Sequence, residues 1–273
     1  MRRPIAPVAG AVHCKICESA TIDFGELRIL SRYDARYRRC EACGFVFIED
    51  VRWLEEAYSA AIAASDTGIA VRNLRVAAEA SVLIQLAFPR AQRFLDYGGG
   101  AGLFVRLMRD RGFDFHLLDK YCANVFAGGF EAQPGDRFDL LTCFEVVEHL
   151  LEPLPAFREL AALAPAIIIG TELLPARRNR PGEWWYYAPE TGQHVCFYTR
   201  RALETIGERL GMHLASNGRN LHVLASASVG DAAVKLATSR ARPIAAALLE
   251  AAGRRRRSLT HRDAERFRSL PRR

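Results

Sequence analysis

The sequence predicts an α/β fold: a doubly wound, mostly parallel sheet, with a small cysteine-rich module in front of it and a basic helical tail behind. Three observations predict it. From Arg93 onward, short apolar runs alternate with helical patterns, as strands joined by crossover helices do. The first of these runs ends in an acid and a glycine cluster, Asp96-Tyr97-Gly98-Gly99-Gly100-Ala101-Gly102, and a helical pattern follows at once. Near the N-terminus stand two Cys-x-x-Cys pairs, Cys14/Cys17 and Cys40/Cys43, separated by 22 residues.

The chain has 273 residues, half of them hydrophobic, which suits one sizeable core with small appendages. No apolar run reaches membrane-spanning length, and no long apolar segment follows Met1-Arg2-Arg3-Pro4. Neither a membrane span nor a signal peptide is expected, and the expected location is the cytoplasm. The net charge is +7, but residues 227–273 hold twelve Lys/Arg against four Asp/Glu. The body before them is therefore near neutral. A basic chain suggests nucleic acid in general; here the charge reports a tail, and no nucleic-acid partner is expected.

Residues 1–50 form the first predicted unit. Residues 1–10 are rich in Pro and Ala and expected to be loose. Each cysteine pair places two thiolates on one metal, so Cys14, Cys17, Cys40 and Cys43 are predicted to hold a structural zinc as a zinc-ribbon-like module. Four thiolates leave no open position for catalysis, and so short a segment needs a metal for stability. Thr21–Leu27 and Leu27–Leu30 read as short strands. Cys122, Cys143 and Cys196 lie in core-like segments and read as buried thiols.

Residues 51–92 read as a helical linker. Trp53, Leu54 and Tyr58 begin one amphipathic stretch; Leu74, Ala78, Val82 and Leu86 space like one face of a longer helix that Pro89 ends. Residues 93–227 form the core. Its predicted strands are Arg93–Tyr97, Phe115–Asp119, Phe138–Phe144, Ala166–Gly170 and Leu221–Ser226, with helices between them. A further strand is poorly marked: Asn124-Val125-Phe126 before Gly128-Gly129 is its only trace. Such sheets bind ligands at the strand C-termini, where Asp96, Asp119 and Glu145 all fall. The glycine spacing fits neither the dinucleotide fingerprint nor the phosphate loop.

After Thr171 comes a stretch full of aromatics and turn formers, Glu183 through Tyr198. Long loops of this kind are usually functional. Thr199 then reads as an N-cap, with Leu203, Ile206 and Leu210 on a helix ending at Gly211. Residues 228–273 are predicted to be a basic, partly helical tail, with Arg254 to Arg257 a solvated charge run.

Asp96-x-Gly98-x-Gly100-x-Gly102 resembles motif I of class I methyltransferases dependent on S-adenosylmethionine (SAM). Phe115-His116-Leu117-Leu118-Asp119 matches that family's next strand and its ribose-binding acid, and Phe138 through His149 its fourth strand and the acid-rich segment after it. The resemblance implies a Rossmann-like core and a SAM site on Asp96, Gly98, Gly99, Gly100, Gly102, Asp119, Lys120, Phe144 and Glu145. Tyr58 to Ile69 would fold over that site as a lid, with Arg72 and Asn73 facing it.

The whole chain resembles bacterial methyltransferases with an N-terminal zinc module, among them sugar C-methyltransferases acting on nucleotide-linked deoxysugars. Gln193-His194-Val195-Cys196-Phe197-Tyr198 resembles their Glu-His-Phe-x-Tyr-Phe-like motif, in which the histidine is the proposed base. This implies a catalytic group of His194, Glu190 and Tyr187, with Glu190 substituting for the carboxylate lost at Gln193. The acceptor would be a small polar molecule, a sugar or a natural-product or polysaccharide precursor, methylated on C, O or N. Glu145-Val146-Val147-Glu148-His149 is similar to the Glu-x-x-Glu-His of ubiquinone-pathway O-methyltransferases and RNA-terminal 2′-O-methyltransferases. That second resemblance implies Mg²⁺ or Mn²⁺ at Glu145, Glu148 and His149, joined by His194, and a hydroxylated small molecule or an RNA 3′ end as acceptor. The alternative of another class is a scaffold or nucleic-acid-binding protein on an inactive methyltransferase fold. No oligomeric state is implied.

Overall fold

The computed structural model describes residues 12–58, 67–177, 179–254 and 256–268. Two sheets organise it. The larger has the order β5-β4-β6-β7-β10-β9. Its strands are β4 (Arg93–Tyr97), β5 (Asp114–Leu118), β6 (Leu140–Phe144), β7 (Ala166–Gly170), β9 (His213–Ser216) and β10 (Leu221–Ala225). The ladders β4/β5, β4/β6 and β6/β7 are parallel; β10 runs antiparallel to β7 and β9. The mostly parallel α/β class is as predicted, and the five predicted strands are there within two residues at each end. Strand β9 was not predicted. It is short, with His213 exposed, Leu214 partly buried, and only the small Ala215 and polar Ser216 buried, so it carries little apolar signal.

Successive residues on one strand enter different cores. Phe94 and Ile168 belong to one apolar cluster; Leu95, Ile167 and Ile169 belong to the other. The sheet is therefore covered on both faces, which is why these strands read as continuous apolar runs. On one face lie α2 (Ile69–Ala87), α3 (Leu103–Asp110), α6 (Asp231–Thr238) and α7 (Arg242–Leu249). On the other lie α4 (Pro153–Leu163) and α5 (Arg200–Leu210), together with the N-terminal module. Helix α5 starts and stops where expected: the Thr199 hydroxyl accepts from Ala202 N at 3.0 Å, and Gly211 takes φ +67° at the C-terminal end.

The smaller sheet has the order β1-β2-β3-β8, from β1 (Thr21–Ile29), β2 (Tyr33–Cys40), β3 (Val46–Ile48) and β8 (Cys196–Phe197). One long β1 replaces the two short strands expected there. The fourth strand, β8, comes from the aromatic loop some 150 residues later in the chain, pairing Val46 with Phe197 and Phe47 with Cys196. The module and the loop thus share one sheet and one core.

Three expectations need correction. First, the crossover between β5 and β6 is irregular, as expected, but no strand forms at Asn124–Phe126 and no helix lies there among the described residues. The chain runs as a loop from Asp119 to Asp139 and touches the sheet edge at Leu117, whose N donates to Phe130 O at 2.8 Å. Second, of the face expected on the long helix α2, Val82 is buried and Leu86 packs against the core, but Leu74 is half exposed; Ala77, Ala80, Ser81, Leu83 and Ile84 complete the buried surface, against α3 and α6. The first stretch shrinks to α1 (Leu54–Ala57), and residues 59–66, the body of the expected lid, lie outside the described residues. Third, the tail's charge run is not simply solvated. Arg256 donates to Ala91 O at 2.7 Å and lies over the rings of Phe113 and Phe94, and Arg254 donates to Gln85 O at 3.0 Å. Arginine stems and guanidinium faces pack well on apolar surface. The partly helical tail is as expected: its last element among the described residues is α8 (Thr260–Arg268), whose Asp263 is buried.

Candidate active site

The turn between β4 and α3 sits at the C-terminal edge of the parallel strands. Two of its glycines are required by space and backbone. A Cβ at Gly99 would lie 2.1 Å from Asp96 Oδ2, and Gly100 takes φ +57° with nothing within 4 Å of its Cβ position. The first keeps the turn tight over the acid; the second leaves open space at the strand ends, where a ligand can approach the backbone.

Asp96 is 1% exposed. Its Oδ1 accepts from the Thr142 hydroxyl at 2.7 Å, while Oδ2 is buried without a partner. Burial pushes its carboxyl up to about 7. Asp119, after β5, accepts from Gly100 N with Oδ2 and from Tyr121 N and Cys122 N with Oδ1, each at 2.8 Å. It ties the glycine turn to the loop that follows. Each carboxylate oxygen keeps further acceptor capacity for a ligand hydroxyl. Lys120 is exposed. Phe144 packs edge-on against Phe104 at 5.0 Å, beside Gly170. Glu145 follows it in a left-handed conformation, φ +54°, with its N donating to Gly170 O at 2.9 Å. A non-glycine residue held there is strained, and such strain clusters at functional sites. Burial and Glu148 raise its carboxyl above the ordinary range.

A second group converges beyond Glu145. The 3₁₀ turn Val147–His149 presents Glu148 and His149, and the loop before β8 presents His194. Ligand atoms of Glu148, His149 and His194 all lie within 4.8 Å of one another. The Tyr186 hydroxyl donates to Glu148 Oε1 and lies 3.2 Å from Thr171 Oγ1. Glu148 Oε2 and His149 Nε2 are buried without a partner. His194 Nδ1 lies 2.6 Å from Tyr186 O. A carbonyl only accepts, so Nδ1 carries the hydrogen and Nε2 keeps a free lone pair. Burial lowers both imidazoles, His149 to about 3. Both are neutral near pH 7.

The other expected catalytic residues fall elsewhere. The Tyr187 hydroxyl donates to Asn179 O, and its ring packs against Tyr37 and Phe197, in the module interface. Glu190 is exposed, and the group that orients His194 is the Tyr186 carbonyl. Gln193 turns away to Ala57 O at 2.9 Å. Tyr186 is the residue that sequence reasoning missed; a 3₁₀ turn, Trp185–Tyr187, decides which tyrosine faces the site. For the divalent ion, Glu145 is not in the converging set and His194 is.

The four module cysteines come together as predicted, with Sγ–Sγ distances of 3.7 Å (Cys14–Cys43), 3.3 Å (Cys17–Cys40) and 3.7 Å (Cys17–Cys43). Main-chain N–H groups of Ile16 and Cys43 point at Cys14 Sγ and Cys40 Sγ, both at 3.4 Å. Four converging thiols with N–H···S contacts fit one tetrahedral zinc. The knuckles are wired to the site. The Thr199 hydroxyl donates to Cys43 O, Lys15 Nζ to Leu151 O, and Cys196 Sγ to Leu150 O.

A family model described as a methyltransferase domain matches residues 71–217. No curated protein matches the chain. Among solved structures, it is similar to an amino pentose methyltransferase from Micromonospora echinaspora, solved with SAM bound (17% identity, 59% of this chain and 96% of that one, TM-score 0.45). It is also similar to a magnesium protoporphyrin IX methyltransferase from Synechocystis PCC 6803 with S-adenosylhomocysteine (16%, 63% and 93%, TM-score 0.44). A third is an O-methyltransferase family protein from Burkholderia thailandensis (14%, 64% and 68%, TM-score 0.43). The family match spans more than half of the chain and covers the glycine turn and both clusters of the site: the chain belongs to the methyltransferase-domain family.

Proposed function

We propose that this methyltransferase takes its methyl group from SAM and delivers it to a hydroxyl of a small polar acceptor, a nucleotide-linked sugar or a related natural-product or polysaccharide precursor. One observation carries the donor side. Gly100 takes a left-handed turn onto open space at the strand ends, and its N donates to Asp119, whose carboxylate keeps acceptor capacity. A ligand with a cationic amino group and a ribose diol fits such a site. The sulfonium supplies an activated methyl group. The protein's own part is to align donor and acceptor and to manage one proton.

His194 Nε2 is the base in this reading. Its Nδ1–H is fixed by the Tyr186 carbonyl, so the imidazole presents its lone pair to the acceptor. An orienting carbonyl stabilises the imidazolium less than a carboxylate does. That favours an acceptor oxygen, which loses its proton as the methyl group arrives, over a carbon, which must lose it first. The sugar class rests on the resemblance of residues 193–198 and of the zinc module.

A second reading is supported by the convergence of Glu148, His149 and His194 with two unpartnered buried atoms. These three would hold a divalent ion, which would lower the pKa of an acceptor hydroxyl bound to it. Tyr186 would then orient both Glu148 and His194 as an outer-shell group. Turnover of labelled SAM with a panel of nucleotide-linked deoxysugars tests both. Methyl transfer that survives EDTA, with the zinc retained, supports the base; loss restored by Mg²⁺ or Mn²⁺ supports the metal. No transfer to any hydroxylated sugar would contradict the acceptor class.

A further inference from the structure

We propose that the C-terminal helix α8 is a positioning element for SAM, acting through Phe267 on the loop that lies against the glycine turn. This rests on the reading of that turn as the SAM site.

The helix is anchored deep in the core. Arg109 on α3 is 1% exposed, yet carries a full charge. Its guanidinium donates to Asp263 Oδ2 and Oδ1, both at 2.8 Å, and to Asp114 Oδ1. Asp263 is itself buried and takes a second arginine, Arg106, at 3.0 Å. A two-pronged pair of this kind fixes direction as well as distance. Leu259 N donates to Arg109 O at 3.0 Å, and the Thr260 hydroxyl to Asp110 Oδ1 at 2.8 Å. The start of α8 is therefore held to the end of α3.

The far end of α8 reaches the loop after β5. Phe267 meets Phe130 edge-on with centroids 5.6 Å apart, and a Cβ at Gly129 would lie 2.5 Å from Phe267 Cζ. Arg109 and Arg266 cover the same Phe130 ring at 3.6 and 5.2 Å. From there the contacts run to the glycine turn. Glu131 Oε1 accepts from Gly129 N at 3.2 Å and from Asn124 Nδ2 at 2.7 Å. Asn124 Oδ1 lies 2.5 Å from where a Gly102 Cβ would be. Val125 N and Phe126 N both donate to Ala101 O, at 2.9 and 3.0 Å.

This loop runs from Asp119 to Asp139 without a helix, so its own secondary structure does not hold it. It also exposes Tyr121, Val125 and Phe126 beside the glycine turn, apolar surface that a ligand seated there would cover. A loop ordered before binding spares the ligand the entropy of ordering it. Phe267 adds to that order from outside the site, packing on Phe130 beside the pairing of Phe130 and Ala132 with Leu117 on β5.

The test compares full-length wild type, Phe267→Ala and Phe267→Tyr, using calorimetry with S-adenosylhomocysteine and hydrogen exchange of the ligand-free proteins. Phe267→Ala is expected to weaken binding roughly tenfold and to speed exchange at residues 124–131. Phe267→Tyr, which keeps the ring, should match wild type in both. Should Phe267→Ala not fold, Phe267→Leu, which keeps apolar cover without the ring edge, makes the same comparison. Unchanged affinity in the alanine or leucine variant overturns the proposal, as does weakened affinity without faster exchange at 124–131. A wild type that binds no S-adenosylhomocysteine contradicts the SAM reading itself.

Discussion

His194 and Tyr186 are joined by a 2.6 Å contact between the imidazole Nδ1 and the main-chain oxygen. That contact sets the tautomer and leaves Nε2 as the basic atom. His194→Ala should therefore keep its affinity for S-adenosylhomocysteine and lose turnover by roughly 10²–10⁴. Because burial lowers the imidazole's pKa, the acid limb of the rate profile should lie below the ordinary histidine value of about 6.5. Full turnover in His194→Ala would exclude the histidine from both the base and the metal readings.

Zinc analysis should give about one ion per chain. Removing Cys14 and Cys40 together as serines should abolish zinc binding and lower thermal stability. The effect should reach the site, because β3 pairs with β8 two residues after His194 and Leu150 O accepts from Cys196. Zinc content and stability unchanged in the double variant would leave the cysteine cluster without a metal role.

Asp96 yields a pH-dependent prediction. Burial raises its folded pKa to about 7, above the unfolded value of about 4. A carboxyl raised in this way favours the fold fully below its unfolded pKa, and that contribution is lost as pH rises through the folded value. Wild type should therefore lose stability relative to Asp96→Asn between about pH 4 and pH 7, levelling off above. The buried His149 and His222, lowered to about 3 and about 4, act in the opposite sense, with stability lost as pH falls below about 6.5. Both proteins carry those histidines, so the comparison cancels them. Melting temperatures across this range decide it; a difference that does not vary with pH would contradict it.

Much of the donor side was legible because its signals are local. Asp96, the glycines and Asp119 sit at strand ends that apolar periodicity marks, and the cysteine knuckles announce themselves by spacing. The acceptor side was legible only in part. His194 was marked by its neighbours, but its partner is a main-chain carbonyl, which no residue type signals. Tyr186 and Tyr187 differ only in how a 3₁₀ turn rotates them. The role of Asp263 is not legible in the tail's composition, because its partner, Arg109, lies 154 residues away. Long-range ion pairs and the borrowed strand β8 leave no periodic trace.

Calorimetric titration with S-adenosylhomocysteine decides whether the glycine turn is a SAM site. A Cβ at Gly99 would meet Asp96 Oδ2 at 2.1 Å and displace the turn, so full-length wild type and Gly99→Val are compared. One molecule should bind per wild-type chain and none to the folded variant. Equal affinity in the two proteins, or no binding by the wild type, would contradict a SAM site there.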